Sequence, residues 1–238
     1  MENQNNHRRI PALGIVVDSV SVPRAIEISQ KFFYNDYFNF VLFAGSWLAL
    51  ESQTSDEIRK FISEADLILP GDHNIEKVAE QESEESFQAL YLDGLLSALA
   101  QMEGHVCVLC ETEQIEEDIV NNILEDYPGL TVECVLYEQD DEEALEALVN
   151  KINGYFPDLV LPIVSLEKQQ SLLLTHKETL STKLFIGSET LFKQIIEEPK
   201  ESSVIVKWLM NCLHLGKKAI DNEFWQKYNA EKENTGNK

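Results

Sequence analysis

The stretch HVCVLCETEQIEEDIVNNILEDYPGLTVECVL, residues 105–136, decides the fold. It opens on an apolar run, His105–Leu109, of the length of a buried strand. In Glu113–Asp126, residues Ile115, Ile119, Val120, Ile123 and Leu124 share one face of a helix. Tyr127-Pro-Gly129 is a turn, and Thr131–Leu136 is a second strand. Two apolar strands joined by a crossover helix make a parallel βαβ unit.

Outward from this unit the pattern repeats. Toward the C-terminus, Leu145, Leu148, Val149 and Ile152 mark a helix ending at Gly154, and Leu159–Val164 and Lys183–Ile186 are strands. Toward the N-terminus, Leu13–Val17 reads as the first strand, and Ser21 caps a helix with Pro23 in its first turn. Phe38–Phe43 is a strand, and Thr54-Ser-Asp-Glu57 matches a capping box for a helix running to Ala65. Asp66–Leu69 is a short strand ended by Pro70-Gly71, and Phe87–Met102 is a helix stopped by Gly104. The expected fold is a Rossmann-like, doubly wound α/β domain over residues 10–198, with a mostly parallel sheet and helices on both faces. Residues 1–9 read as a disordered arm. Residues 199–238 read as a helical appendage: an amphipathic helix over Val204–Leu215, then a polar tail that frays from Asn229.

Of the 238 residues, 42 are acidic and 19 are Lys or Arg, a formal net charge of -23. Such a surface repels phosphate backbones and argues against nucleic-acid binding. It also disfavours general adhesion to anionic membranes, so membrane contact is at most peripheral. The acidic stretches Glu76–Glu85, Glu111–Asp118 and Glu138–Glu146 lack metal-ligand spacing and read as solvated helix starts. Met1 to Arg9 is polar with no apolar segment after it, which reads as no secretory signal. The cysteines Cys107, Cys110, Cys134 and Cys212 read as structural thiols of a reduced, cytoplasmic protein.

Several segments in order resemble the WecG/TagA/CpsF family of bacterial glycosyltransferases. Ile10-Pro-Ala-Leu-Gly-Ile-Val-Val-Asp18 is similar to the family's opening segment, and Ala65-Asp-Leu-Ile-Leu-Pro70 to its Ala-Asp-Leu-Val-Leu-Pro. Tyr127-Pro-Gly-Leu130, Ile152-Asn153 with Phe156-Pro-Asp-Leu159, and Lys168-Gln169 follow at the family's spacing. The resemblance implies transfer of an N-acetylhexosamine from a UDP-sugar to a lipid-linked acceptor at the inner membrane face. It implies no metal and no other cofactor.

The resemblance places the chemistry at Asp72 as general base, with Gly45, Gly71, Lys168 and Gln169 contacting substrate. A carboxylate near the acceptor hydroxyl takes its proton, and cations or N–H donors hold the leaving diphosphate. This chain departs from the pattern at several of these positions. The family's Pro-Asp-Gly becomes Pro70-Gly71-Asp72, its Thr-x-Asn becomes Phe43-Ala-Gly45, and its Gly-Leu-Gly becomes Ile163-Val-Ser165. Pro becomes Glu167 and Glu becomes Gln170, and no arginine follows Arg59, where the family's C-terminal region carries several. Three readings stand. One is an inactive member that binds a partner in surface-polysaccharide synthesis or associates with copies of itself. The second is a divergent transferase that still uses a UDP-sugar. The third is a different α/β protein, such as a sensor or small-ligand binder, whose similarity to the family is coincidental. For Asp72 the bland alternative is a helix cap, and for Lys168 and Gln169 a place in the first turn of a helix. His73 is a weaker candidate acid, base or ligand. Trp208, Leu209, Cys212 and Leu213 give the expected last helix a face for the core or for a partner.

Overall fold

A computed structural model describes residues 7–81, 85–138, 141–188 and 218–236. Its centre is a six-stranded, all-parallel sheet: β3 (Asn39–Ala44), β4 (Leu67–Pro70), β5 (His105–Cys110), β6 (Thr131–Leu136), β7 (Leu159–Ile163) and β8 (Leu184–Ser188). The spatial order is β4-β3-β8-β7-β5-β6. Successive residues of β3 feed opposite faces: Phe40, Leu42 and Ala44 enter one apolar cluster, Val41 and Phe43 the other. That is why the strands read as unbroken apolar runs rather than alternating ones.

Helices cover both faces. One face carries α2 (Ser46–Glu51), α3 (Asp56–Ser63), α4 (His73–Val78), α7 (Glu142–Gly154) and α8 (Leu166–His176). The other carries α1 (Val22–Phe32), α5 (Phe87–Ala100) and α6 (Glu113–Asp126). The doubly wound α/β fold expected from the periodicity is therefore present. Adjacent strands β5 and β7 send the chain to opposite faces, into α6 and α8. Their carboxyl ends form a topological switch point, where such sheets bind ligands.

Three expectations are corrected. The first strand is not Leu13–Val17. Arg8–Ala12 (β1) and Ile15–Ser19 (β2) form an antiparallel hairpin, separate from the parallel sheet. The turn between them has positive φ at Leu13 (51°) and Gly14 (82°), the backbone of a two-residue hairpin turn. A leucine in that conformation is rare, so the sequence carries only half of the usual turn signal. Strand β1 also takes in Arg8 and Arg9 of the arm expected to be disordered; residues 1–6 lie outside the described residues. The hairpin sits beside β4, where the Asp18 carboxylate accepts a hydrogen bond from Ile68 N at 2.7 Å.

The cap of α3 is Ser55 rather than Thr54. Its side chain accepts from Ile58 N, one residue later than the expected box. The third correction concerns the C-terminal region. Helix α9 spans Lys218–Gly236, through the tail expected to fray from Asn229. Phe224 is fully buried, and Ile220, Trp225 and Tyr228 pack against the same cluster. These four lie at helical spacing, and an aromatic face among many polar residues is a faint signal at low mean hydropathy. The helix expected over Val204–Leu215, with Trp208 and Cys212, lies outside the described residues.

Candidate functional site

Strand β4 ends at Pro70, and the chain passes through Gly71 to Asp72 against the end of β3. Gly71 N donates to Ala44 O at 2.8 Å. A Cβ on Gly71 would stand 2.9 Å from the Phe43 carbonyl oxygen and from backbone carbons of Phe43 and Ala44. Only glycine fits so close a backbone approach. The transposed Gly71-Asp72 order thus has a local cause: the side-chain-free residue stands where the two strands touch, and the carboxylate falls one step later.

That step makes Asp72 the N-cap of α4. Its Oδ1 accepts from Ile75 N at 3.0 Å. Its Oδ2 accepts from Ser46 N, in the first turn of α2, at 2.7 Å. The residue is 3% exposed. Gly45, the N-cap residue of α2, has extended backbone and no side chain to offer. Asp72 supplies the missing acceptor from its place just past the neighbouring strand, so one carboxylate caps two helices. Asp72, Gly45 and Gly71 therefore share one corner, at the carboxyl ends of β3 and β4.

The corner extends through residues that sequence reasoning did not single out for the site. Asn74 donates from Nδ2 to Ser46 Oγ at 2.9 Å and to Asp221 Oδ1 of α9 at 2.6 Å. Its Oδ1 accepts from Trp225 Nε1 at 2.8 Å. Lys77 lies over the Trp225 ring, 5.5 Å from its centre. Helix α9 is thereby seated on the α2–α4 corner. Glu76, also buried, accepts from Phe87 N at 2.8 Å and so serves the start of α5. His73 beside it is largely exposed, with Nδ1 3.8 Å from the Glu76 carboxylate. Among the described residues no three His, Cys, Asp or Glu side chains converge as a metal site.

Lys168 and Gln169 lie in the first turn of α8, whose N-cap Ser165 accepts from Lys168 N. Their side chains part company. Lys168 Nζ donates to Tyr137 O at 2.9 Å, lies 5.0 Å from the Tyr137 ring centre, and is 3.7 Å from Glu111 Oε1. Glu111 also accepts from Ser165 N at 3.0 Å, so this pair occupies the β5–β7 switch point. Gln169 is fully buried. Its Nε2 donates to Val164 O and Ser188 O, both at 2.9 Å, and its Oε1 accepts from Ser188 N at 3.0 Å. It ties the exit of β7 to the end of β8, and Gln88 Nε2 donates to Ser188 Oγ at 3.0 Å. The Lys168 amine is thus held beside β5 and β6, whereas Asp72 follows β4 at the opposite edge of the sheet.

Of the positions that depart from the family pattern, Phe43, Ile163 and Gln170 are buried, whereas Glu167 is exposed. Phe43 is fully buried, edge-on to Tyr91 at 5.2 Å, and the Tyr91 hydroxyl meets Ser29 Oγ at 2.6 Å. Ile163 enters the same cluster. The Gln170 side-chain nitrogen is buried with no hydrogen-bond partner among the described residues. A cleft of about 340 Å³ opens elsewhere, between the end of β6 and α7. It is lined by Val135, Tyr137, Glu138, Ala144, Leu148 and Lys151 among others, and by none of the site residues expected from the sequence.

A family model described as Glycosyl transferase WecG/TagA/CpsF family matches residues 10–209. The chain belongs to the WecG/TagA/CpsF glycosyltransferase family. No curated protein is significantly similar to it. The WecG/TagA/CpsF match takes in the hairpin from Ile10 onward, the whole parallel sheet and the Asp72 corner; α9 lies beyond it. Membership in the WecG/TagA/CpsF family implies a sugar-nucleotide donor and a lipid-linked acceptor. No helix among the described residues is long and apolar enough to cross a membrane.

Proposed function

We propose that this WecG/TagA/CpsF member is a non-catalytic binding or accessory subunit of surface-polysaccharide synthesis, acting in the cytoplasm or peripherally at the inner membrane face. The observation that carries this reading is the state of Asp72. A general base must present a lone pair to the acceptor hydroxyl at hydrogen-bond distance. Both Asp72 oxygens already accept backbone N–H groups, in a corner almost closed to solvent. Lys168 and Gln169 are likewise engaged with the protein's own carbonyls. With Phe43 and Ile163 in place of polar or small residues, little remains among the described residues to hold a diphosphate.

The test is a calorimetric titration of the folded protein with UDP and UDP-GlcNAc, with and without magnesium. No heat of binding is expected. Micromolar binding would overturn the reading. The second reading, a divergent transferase acting on a lipid-linked acceptor, draws support from one observation: a carboxylate, Asp72, does stand at the carboxyl end of a parallel strand. That reading requires UDP-GlcNAc turnover that disappears in Asp72→Asn while the variant stays folded.

A further inference from the structure

We propose that Cys110 and Cys134 are a redox-active dithiol that a hydroperoxide converts to an intrachain disulfide. The inference is independent of whether the protein transfers sugar.

Strands β5 and β6 run parallel, with Val108 opposite Cys134 and Cys110 opposite Leu136. The two cysteines are therefore diagonal neighbours on one face of the sheet, and their sulfurs are 2.7 Å apart. That separation is about 0.7 Å longer than a disulfide bond, so oxidation needs only a small adjustment of the two side chains. Cys107 is excluded by geometry, because it enters the apolar cluster on the opposite face of the sheet. Cys110 is fully buried, whereas Cys134 is only partly so. This asymmetry assigns the roles: Cys134 meets the oxidant, and Cys110 resolves.

The Cys134 thiolate attacks the peroxide. An S–O bond forms, the O–O bond breaks, and the leaving oxygen departs as alcohol or water with one proton. The resulting sulfenic acid is attacked by the Cys110 thiolate. The S–S bond forms, the S–O bond breaks, and the hydroxyl leaves as water with the second proton. Two thiols and one hydroperoxide give one disulfide, one alcohol and one water; the sulfurs lose two electrons and the peroxide gains them.

The bond would change a specific part of the fold. Among the described residues β6 pairs only with β5, so it is the outer strand of the sheet, held on one side. The disulfide ties it covalently to its neighbour. Cys110 leads directly into Glu111, which accepts from Ser165 N at the switch point. Oxidation thus acts at the root of the loop that orders the start of α8.

The experiment treats the full-length folded protein with hydrogen peroxide, quenches, denatures and titrates thiols. The count should fall from four to two, the mass should fall by two hydrogens, and dithiothreitol should restore both. Cleavage after glutamate separates residues 104–111 from 134–138, so a non-reducing peptide map should show these two joined. The loss should persist in Cys107→Ser and Cys212→Ser and vanish in Cys134→Ser. Four thiols surviving peroxide would overturn the proposal. So would oxygen adducts without a cross-link, or a cross-link that remains in Cys134→Ser.

Discussion

The Asp72 carboxylate accepts a hydrogen bond from the backbone N–H of Ser46 at 2.7 Å, across 26 positions of sequence. The same side chain caps its own helix at Ile75 N. Removing it leaves two buried amides at two helix starts without an acceptor. Each buried unpaired donor costs about 1–3 kcal/mol. Asp72→Ala should therefore lower unfolding stability by about 2–4 kcal/mol, somewhat more than a single cap. Urea denaturation followed by circular dichroism measures it, and a change of a few tenths would mean the carboxylate is not structural.

Gly71→Ala tests the origin of the transposed pair. The new methyl group would stand 2.9 Å from β3 backbone, which cannot move aside as a side-chain tip can. A loss of about 1–3 kcal/mol is expected, as for other overpacked positions. Gly154→Ala is the control, since a Cβ there meets nothing within 4 Å. It should be neutral or stabilising by about 0.5–1 kcal/mol. Equal effects of the two variants would remove the close-approach argument.

Helix α9 is seated by Phe224 in the core and by Trp225 on Asn74. In Phe224→Ala with Trp225→Ala, hydrogen exchange should show residues 218–236 losing protection while β3, β5 and β7 keep theirs. Protection lost uniformly would instead make α9 part of one cooperative unit with the sheet.

Two buried phenols give the chain an alkaline limit. Burial pushes Tyr91 well above the usual tyrosine range. Burial and the Asp93 carboxylate do the same for Tyr127, whose hydroxyl donates to Asp93 Oδ1 at 2.7 Å. Below about pH 10 both phenols are protonated in the folded and unfolded chains alike, and their contribution to stability is complete. Above it the unfolded chain ionises first, so stability falls as pH rises toward the folded values. Urea midpoints across this range should decline, and the decline should be shallower in Tyr91→Phe with Tyr127→Phe.

Much of this was legible in the residues. The unit over residues 105–136 predicts β5, α6 and β6, and the structure places those elements with boundaries moved by at most one residue. The capping role of Asp72 was also visible as the bland alternative, because a cap is a local event three residues long. The hairpin was not, because Leu13 takes a backbone conformation that leucine rarely shows. Nor was α9, whose buried face is four residues among many polar ones.

The amino-acid sequence by itself determined the fold class and the family. Both rest on apolar periodicity and ordered motifs, which are properties of short, contiguous segments. Tertiary structure alone decided what the site residues touch. Asp72 finds Ser46, Gln169 finds Ser188, Lys168 finds Tyr137, and Cys110 finds Cys134 only through the order β4-β3-β8-β7-β5-β6. Those partners lie 19 to 31 positions apart. Which of them meet depends on which strands become neighbours, and the packing of two whole faces against helices sets that order.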